Sequence, residues 1–142
     1  MDKKRLSRMY FLPIRIDQKK REIQRIQERL TSVSPNLSGM PHGSGVHDKI
    51  GEGVVELVTK KEELEQMVHG YQTELDHLEE WVESIEDIQI QTMIELRYKE
   101  RMTWNQVADE MGTVNTDDSC RKMVERFLAK GSDPDGSKKD DE

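Results

Sequence analysis

From residue 50 to residue 85 the apolar side chains of this chain return every four and then three positions. They are Ile50, Val54, Leu57, Leu64, Val68, Tyr71, Leu75, Leu78, Val82 and Ile85, and Lys61 fills the one polar place. A heptad period of this kind lays a seam along an α-helix, and a seam needs a facing helix. Five heptads without proline predict a helix of about 35–40 residues, roughly 55–60 Å long. Gly51, Gly53 and Gly70 weaken it by about 1 kcal/mol each relative to alanine. A shorter pattern of the same period runs from Phe11 to Thr31 through Leu12, Ile16, Ile23, Ile26 and Leu30, with Lys19 in the missing place and Pro13 expected in the first turn. Between the two, residues 32–45 hold two prolines, three glycines and four serines, which predicts a connector where the chain reverses.

An antiparallel hairpin of these unequal helices would cover only part of the longer seam. The rest would be covered by the C-terminal helices folding back on it and by a second chain. The expectation is a homo-oligomer, a dimer or tetramer, held through Leu64, Val68, Tyr71, Leu75, Leu78 and Val82.

Composition supports a helical rather than a closed globular architecture. Charged residues make up 36% of the 142, hydrophobic ones 33% and aromatic ones 5%, too little apolar mass for a large barrel or doubly wound sheet. The net charge of −7 argues against a phosphate-rich partner until it is resolved along the chain. Residues 1–45 carry 10 basic and 4 acidic side chains, a local +6. Residues 46–84 stand at −8, residues 85–130 at −2 and residues 131–142 at −3. The single cysteine, Cys120, excludes an intramolecular disulfide and a cysteine zinc site within one chain. There is no signal-peptide pattern and no run of about 20 apolar residues, so a soluble cytoplasmic protein without a membrane partner is expected.

The C-terminal third reads as shorter helices. One is expected over about Ile88–Arg101. Thr103 and Gln106 then fit a capping box for a helix that ends at Gly112. After a turn, Asn115 or Thr116 can cap a last helix running to about Lys130. Residues 131–142 contain no apolar side chain and read as a disordered acidic tail. The segment from Trp104 to Leu128 has the mechanics of a helix-turn-helix: Trp104, Val107, Ala108, Gly112 and Phe127 form its scaffold, and Cys120, Met123, Val124 and Leu128 continue the apolar stripe. On the opposite face Lys122 and Arg126 lie one turn apart, where both can enter a major groove, assisted by Asn115, Ser119 and Arg121. Asp117 and Asp118 stand nearby, and the turn is two residues longer than the tight prototype.

No catalytic constellation emerges. His42, His47, His69 and His77 lack metal-ligand spacing, Cys120 has no suitably placed histidine, and the carboxylate pairs lie on a solvated helix. The expectation is a non-enzyme with no cofactor, no metal and no small-molecule substrate.

The stretch from Ile90 through Leu96-Arg97-Tyr98 and Thr103-Trp104 to Val107-Ala108 and Met111-Gly112 resembles the start of sigma-factor region 4. The connector from Ser38 to Gly51, following a basic helix, resembles that of small proteins of phages and prophages of Gram-positive bacteria, related in layout to the ArpU/RinA-type late-gene activators. Together the likeness covers about residues 10–130. It implies an all-α chain with a coiled-coil hairpin (1–85), a sigma-like helix-turn-helix domain (86–130) and a tail (131–142). It also implies a DNA-binding transcriptional regulator of a phage, bound to double-stranded promoter or operator DNA and able to meet RNA polymerase. Two other readings fit the same layout: a DNA-packaging component resembling a small terminase subunit, and an adaptor of RNA polymerase that never touches DNA.

Overall fold

The structure, a computed structural model, describes residues 1–38, 44–112 and 114–131, with only the backbone of residues 33–38 and 44–50. Its order is α1 (Lys3–Leu6), α2 (Arg8–Ser38), α3 (Ser44–Glu83), α4 (Ile88–Ile94), a π-helical turn (Glu95–Lys99), α5 (Trp104–Met111) and α6 (Asp117–Gly131). The fold is all-α, with no strand among the described residues. No described helix is long and apolar enough to cross a membrane. The middle of the expected connector (39–43), residue Thr113 of the expected turn, the tail from 132 on, and the side chains of His42 and His47 lie outside the described residues.

Four helix boundaries differ from the sequence reading, and one is the start of α3, which lies at Ser44, inside the expected connector 32–45. Helix α2 starts at Arg8, which places Pro13 in its second turn rather than its first. Pro13 has no N–H to offer the Met9 carbonyl, a cost set against the burial of Met9, Leu12 and Ile16 around it. Helix α2 also runs past Thr31 to Ser38. The Thr31 hydroxyl donates to the Gln27 carbonyl at 2.8 Å and the Ser32 hydroxyl to the Arg29 carbonyl at 3.0 Å. Ser32, read as the start of the connector, thus bonds back to the helix that carries it.

The fourth difference lies after Ile94. A regular helix to Arg101 is replaced by the π-helical turn, closed by the Glu100 N–H on the Glu95 carbonyl, and Arg101 takes φ +64°. The extra residue lets the Arg97 carbonyl leave the helical ladder and accept from the Tyr10 hydroxyl at 2.8 Å.

The chain divides into two compact units, Ile14–Thr73 and the combination of Met1–Pro13 with Glu74–Glu142. In the first, Ile16, Ile26 and Leu64 are buried, and the Arg15 guanidinium lies 5.8 Å from the centre of the Tyr71 ring. Val55, Val58 and Met67 are exposed on α3. In the second, Leu6, Met9 and Leu12 are buried, as are Leu78, Val82, Ile85, Met93, Ile94 and Tyr98. Arg8 binds both carboxylate oxygens of Glu74, one of them at 2.8 Å, and Lys3 reaches Glu125 at 3.1 Å. Of the six seam residues expected to join chains, Leu64, Leu78 and Val82 are covered by the chain itself, whereas Val68, Tyr71 and Leu75 are half-buried.

Candidate functional site

Helix α5 begins where the sequence marks it. The Thr103 side chain accepts from the Gln106 N–H at 3.2 Å, and the Gln106 carboxamide accepts from the Thr103 N–H at 2.9 Å. This reciprocal cap satisfies two donors that the helix cannot. Val107 and Ala108 turn inward and are buried. The helix stops at Gly112, whose φ of +114° is open to glycine and to few other residues.

Helix α6 opens on a second reciprocal cap. The Ser119 N–H donates to the Thr116 hydroxyl at 3.1 Å, and the Thr116 N–H donates to the Ser119 hydroxyl at 3.0 Å. Cys120, Val124 and Leu128 form its buried stripe, and burial pushes the Cys120 thiol up from its ordinary pKa. Phe127 is half-buried with its ring 6.1 Å from that of Trp81. Met123 and Phe127 also line an open groove with Ile90, Asp87, Arg126 and Lys130.

The outward face of α6 carries the charge. Lys122 and Arg126 are both exposed, one turn apart. Lys122 reaches Asp118 at 3.1 Å, and Arg121 binds both Asp118 and Glu125. Hydrogen bonds from Lys122 and then Arg121 hold the Asp118 carboxyl below the usual carboxylate range. The Lys3 ammonium does the same for Glu125. Among the described residues, Arg126 is the one member of the expected DNA-binding set with no hydrogen bond or ion pair. The Ser119 hydroxyl is engaged in the cap, and the Asn115 carboxamide donates to the Met111 carbonyl at 3.4 Å. Lys122 and Arg126 therefore face solvent together, while Asn115, Ser119 and Arg121 serve the turn and the helix start.

Arg97, named from sequence only as part of a helix face and a motif, has a packing role that the sequence reasoning did not assign. Its guanidinium lies 5.9 Å from the Tyr10 ring centre and 5.1 Å from that of Trp104, and donates to the Met102 carbonyl at 2.9 Å. Its Nε is buried without a hydrogen-bond partner. Stacking between aromatic faces compensates a guanidinium more readily than an ammonium, because the planar cation is weakly hydrated. The signal was present: Arg97 interrupts the apolar stripe Ile90, Met93, Ile94, Tyr98, and an arginine at such a place calls for aromatic neighbours.

Among the described residues no three His, Cys, Asp or Glu side chains come together in a way that could hold a metal ion. No curated protein and no solved structure matches the chain. The model of one family, described as a protein of unknown function (DUF1492), matches residues 31–126. That match spans more than half of the sequence, and the chain belongs to this family.

Proposed function

We propose that the chain is a DNA-binding transcriptional regulator of the ArpU/RinA type, acting on phage or prophage late genes. In this reading α5, the turn at Gly112 and α6 form a sigma-like helix-turn-helix, with α6 as the recognition helix. Helices α2 and α3 form the coiled-coil hairpin that sets the oligomeric state and hence the spacing of two half-sites. The protein is cytoplasmic in its bacterial host, works without cofactor and catalyses no reaction.

The observation that carries the reading is the division of α6. Cys120, Val124 and Leu128 are buried on one side, and Lys122 with Arg126 is exposed on the other. A helix held by its inner stripe and presenting two cations one turn apart has what a major groove requires. The test is a gel shift at about 50 mM salt with promoter fragments from the neighbouring genes. Salt-sensitive binding that weakens in Lys122→Ala/Arg126→Ala is expected. Absence of binding sinks the reading, and unchanged affinity in the double variant sinks the assignment of these two residues.

One observation favours a second reading, an adaptor that binds RNA polymerase and not DNA. Asp118 engages both Lys122 and Arg121, which leaves the start of α6 locally neutralised. Asp118→Asn separates the two. It strengthens DNA binding if Lys122 and Arg121 are wanted by phosphate, and it weakens polymerase capture if the acidic face is the contact.

A further inference from the structure

We propose that α2 carries a second nucleic-acid contact, a row of arginines that grips the phosphates of double-stranded DNA without reading its sequence. The inference rests on the DNA-binding reading and supplies what that reading lacks. Residues 85–130 have a local charge of −2, and two of their cations, Arg121 and Lys122, are already held by Asp118. A further one, Arg97, is stacked between Tyr10 and Trp104. Non-specific affinity for DNA comes almost wholly from cations that displace counterions from phosphate, so a further set of cations elsewhere in this chain would add to what Arg126 and its neighbours offer. The segment 1–45, at +6 in a chain of −7, is the basic one.

Its arginines are ordered. Arg21, Arg25 and Arg29 stand at i, i+4 and i+8 of α2 and are all exposed, whereas the seam residues Ile16 and Ile26 are buried. At 1.5 Å per residue the row is about 12 Å long with about 6 Å between members, far enough for each guanidinium to take a separate phosphate. Arginine presents a fixed fork of donors that suits phosphate oxygens. Arg21 pairs with Asp17, but its side chain is still 69% exposed. Among the described residues no carboxylate lies within ion-pair distance of Arg25 or Arg29. Like charges at i, i+4 destabilise a helix, and a polyanion laid along the row removes that repulsion.

The test is the triple variant Arg21→Gln/Arg25→Gln/Arg29→Gln in the full chain. Glutamine keeps nearly the helix propensity of arginine, and circular dichroism verifies the fold. Binding to a random-sequence duplex and to a promoter duplex is titrated between about 50 and 200 mM salt. The expected result is a loss of at least tenfold for both duplexes at about 50 mM, with the slope of log affinity against log salt smaller by about 2–3 and the preference between duplexes unchanged. Wild-type affinity and slope in the triple variant overturn the proposal while leaving the DNA reading intact. A wild-type chain that binds neither duplex overturns both. If affinity and slope persist while the mass by light scattering falls, the row joins copies of the chain through an acidic helix, and the proposal is overturned in favour of that contact.

Discussion

The two compact units are built by different means. Between Ile14 and Thr73, order comes from a repeated period: heptad-spaced residues on two long helices, with Ile16, Ile26 and Leu64 buried and mostly polar residues elsewhere. In the unit that joins Met1–Pro13 to Glu74–Glu142, order comes from particular side chains. Asp2, Asp87, Thr103 and Thr116 cap helices, Tyr10 takes a carbonyl from the π-helical turn, and Arg97 is stacked between two rings. A periodic seam tolerates exchange of one apolar residue for another, because its neighbours repeat the same contact. A unit assembled from single contacts does not.

The largest expected effect tests that contrast in the core. Ile94 is fully buried in the second unit, and Ile94→Ala should cost about 2–5 kcal/mol, read from the midpoint of urea unfolding. The exposed seam-edge residue Met67 of the first unit should lose less than about 1 kcal/mol on the same kind of truncation. Equal losses would erase the distinction between the units.

Glycine gives a sharper version, since one substitution should change sign between them. Gly112→Ala should destabilise by about 1–3 kcal/mol. Nothing lies within 4 Å of the Cβ it would gain, so the cost is that of placing an L-residue at φ +114°. Gly70→Ala should stabilise by about 0.5–1 kcal/mol, because it sits in mid-helix in α3 with nothing within 4 Å of its new Cβ. Thermal melting of both variants provides the check, and shifts of the same sign would refute the comparison.

The smallest effect depends on pH. A hydrogen bond from Arg8 depresses the Glu74 carboxyl below its ordinary 4.5. A group with a lowered folded-state pKa contributes stability that is fully present above the unfolded value and is lost as pH falls through the folded one. Glu74→Gln should therefore lower the melting temperature at pH 7, and the gap to wild type should close as the pH is taken from about 4.5 downward. A gap that stays constant to pH 3 would mean that packing, rather than charge, ties Glu74 to Arg8.

The same contrast explains what the sequence made legible. Periods are visible in one dimension, so the length of α3 and the inward residues of α6 were readable from spacing alone. Caps are local too, and Thr103 with Gln106 announced α5. Proline and serine misled at the ends of α2, because rules for isolated helices omit the burial around Pro13 and the back-bonding of Thr31 and Ser32. The π-helical turn meets Tyr10, which lies 87 residues from Arg97, and no local pattern reports such a partner. At the candidate site the positions of Lys122 and Arg126 followed from helix geometry. The diversion of Ser119 into a cap and of Arg121 onto Asp118 did not, since each depends on which of several nearby acceptors a side chain chooses.

The contact of Lys3 with Glu125 spans 122 residues, and that of Tyr10 with Arg97 spans 87. During synthesis the first thirteen residues leave the ribosome before any of these partners exist. The Tyr10 hydroxyl and the Lys3 ammonium must wait until Arg97 and Glu125 have emerged. Folding of this unit is therefore a late event that closes a very long loop, which is slow for entropic reasons. A fragment cut out from residue 86 onward would lack the Tyr10 hydroxyl on the Arg97 carbonyl and the Lys3 ammonium on Glu125.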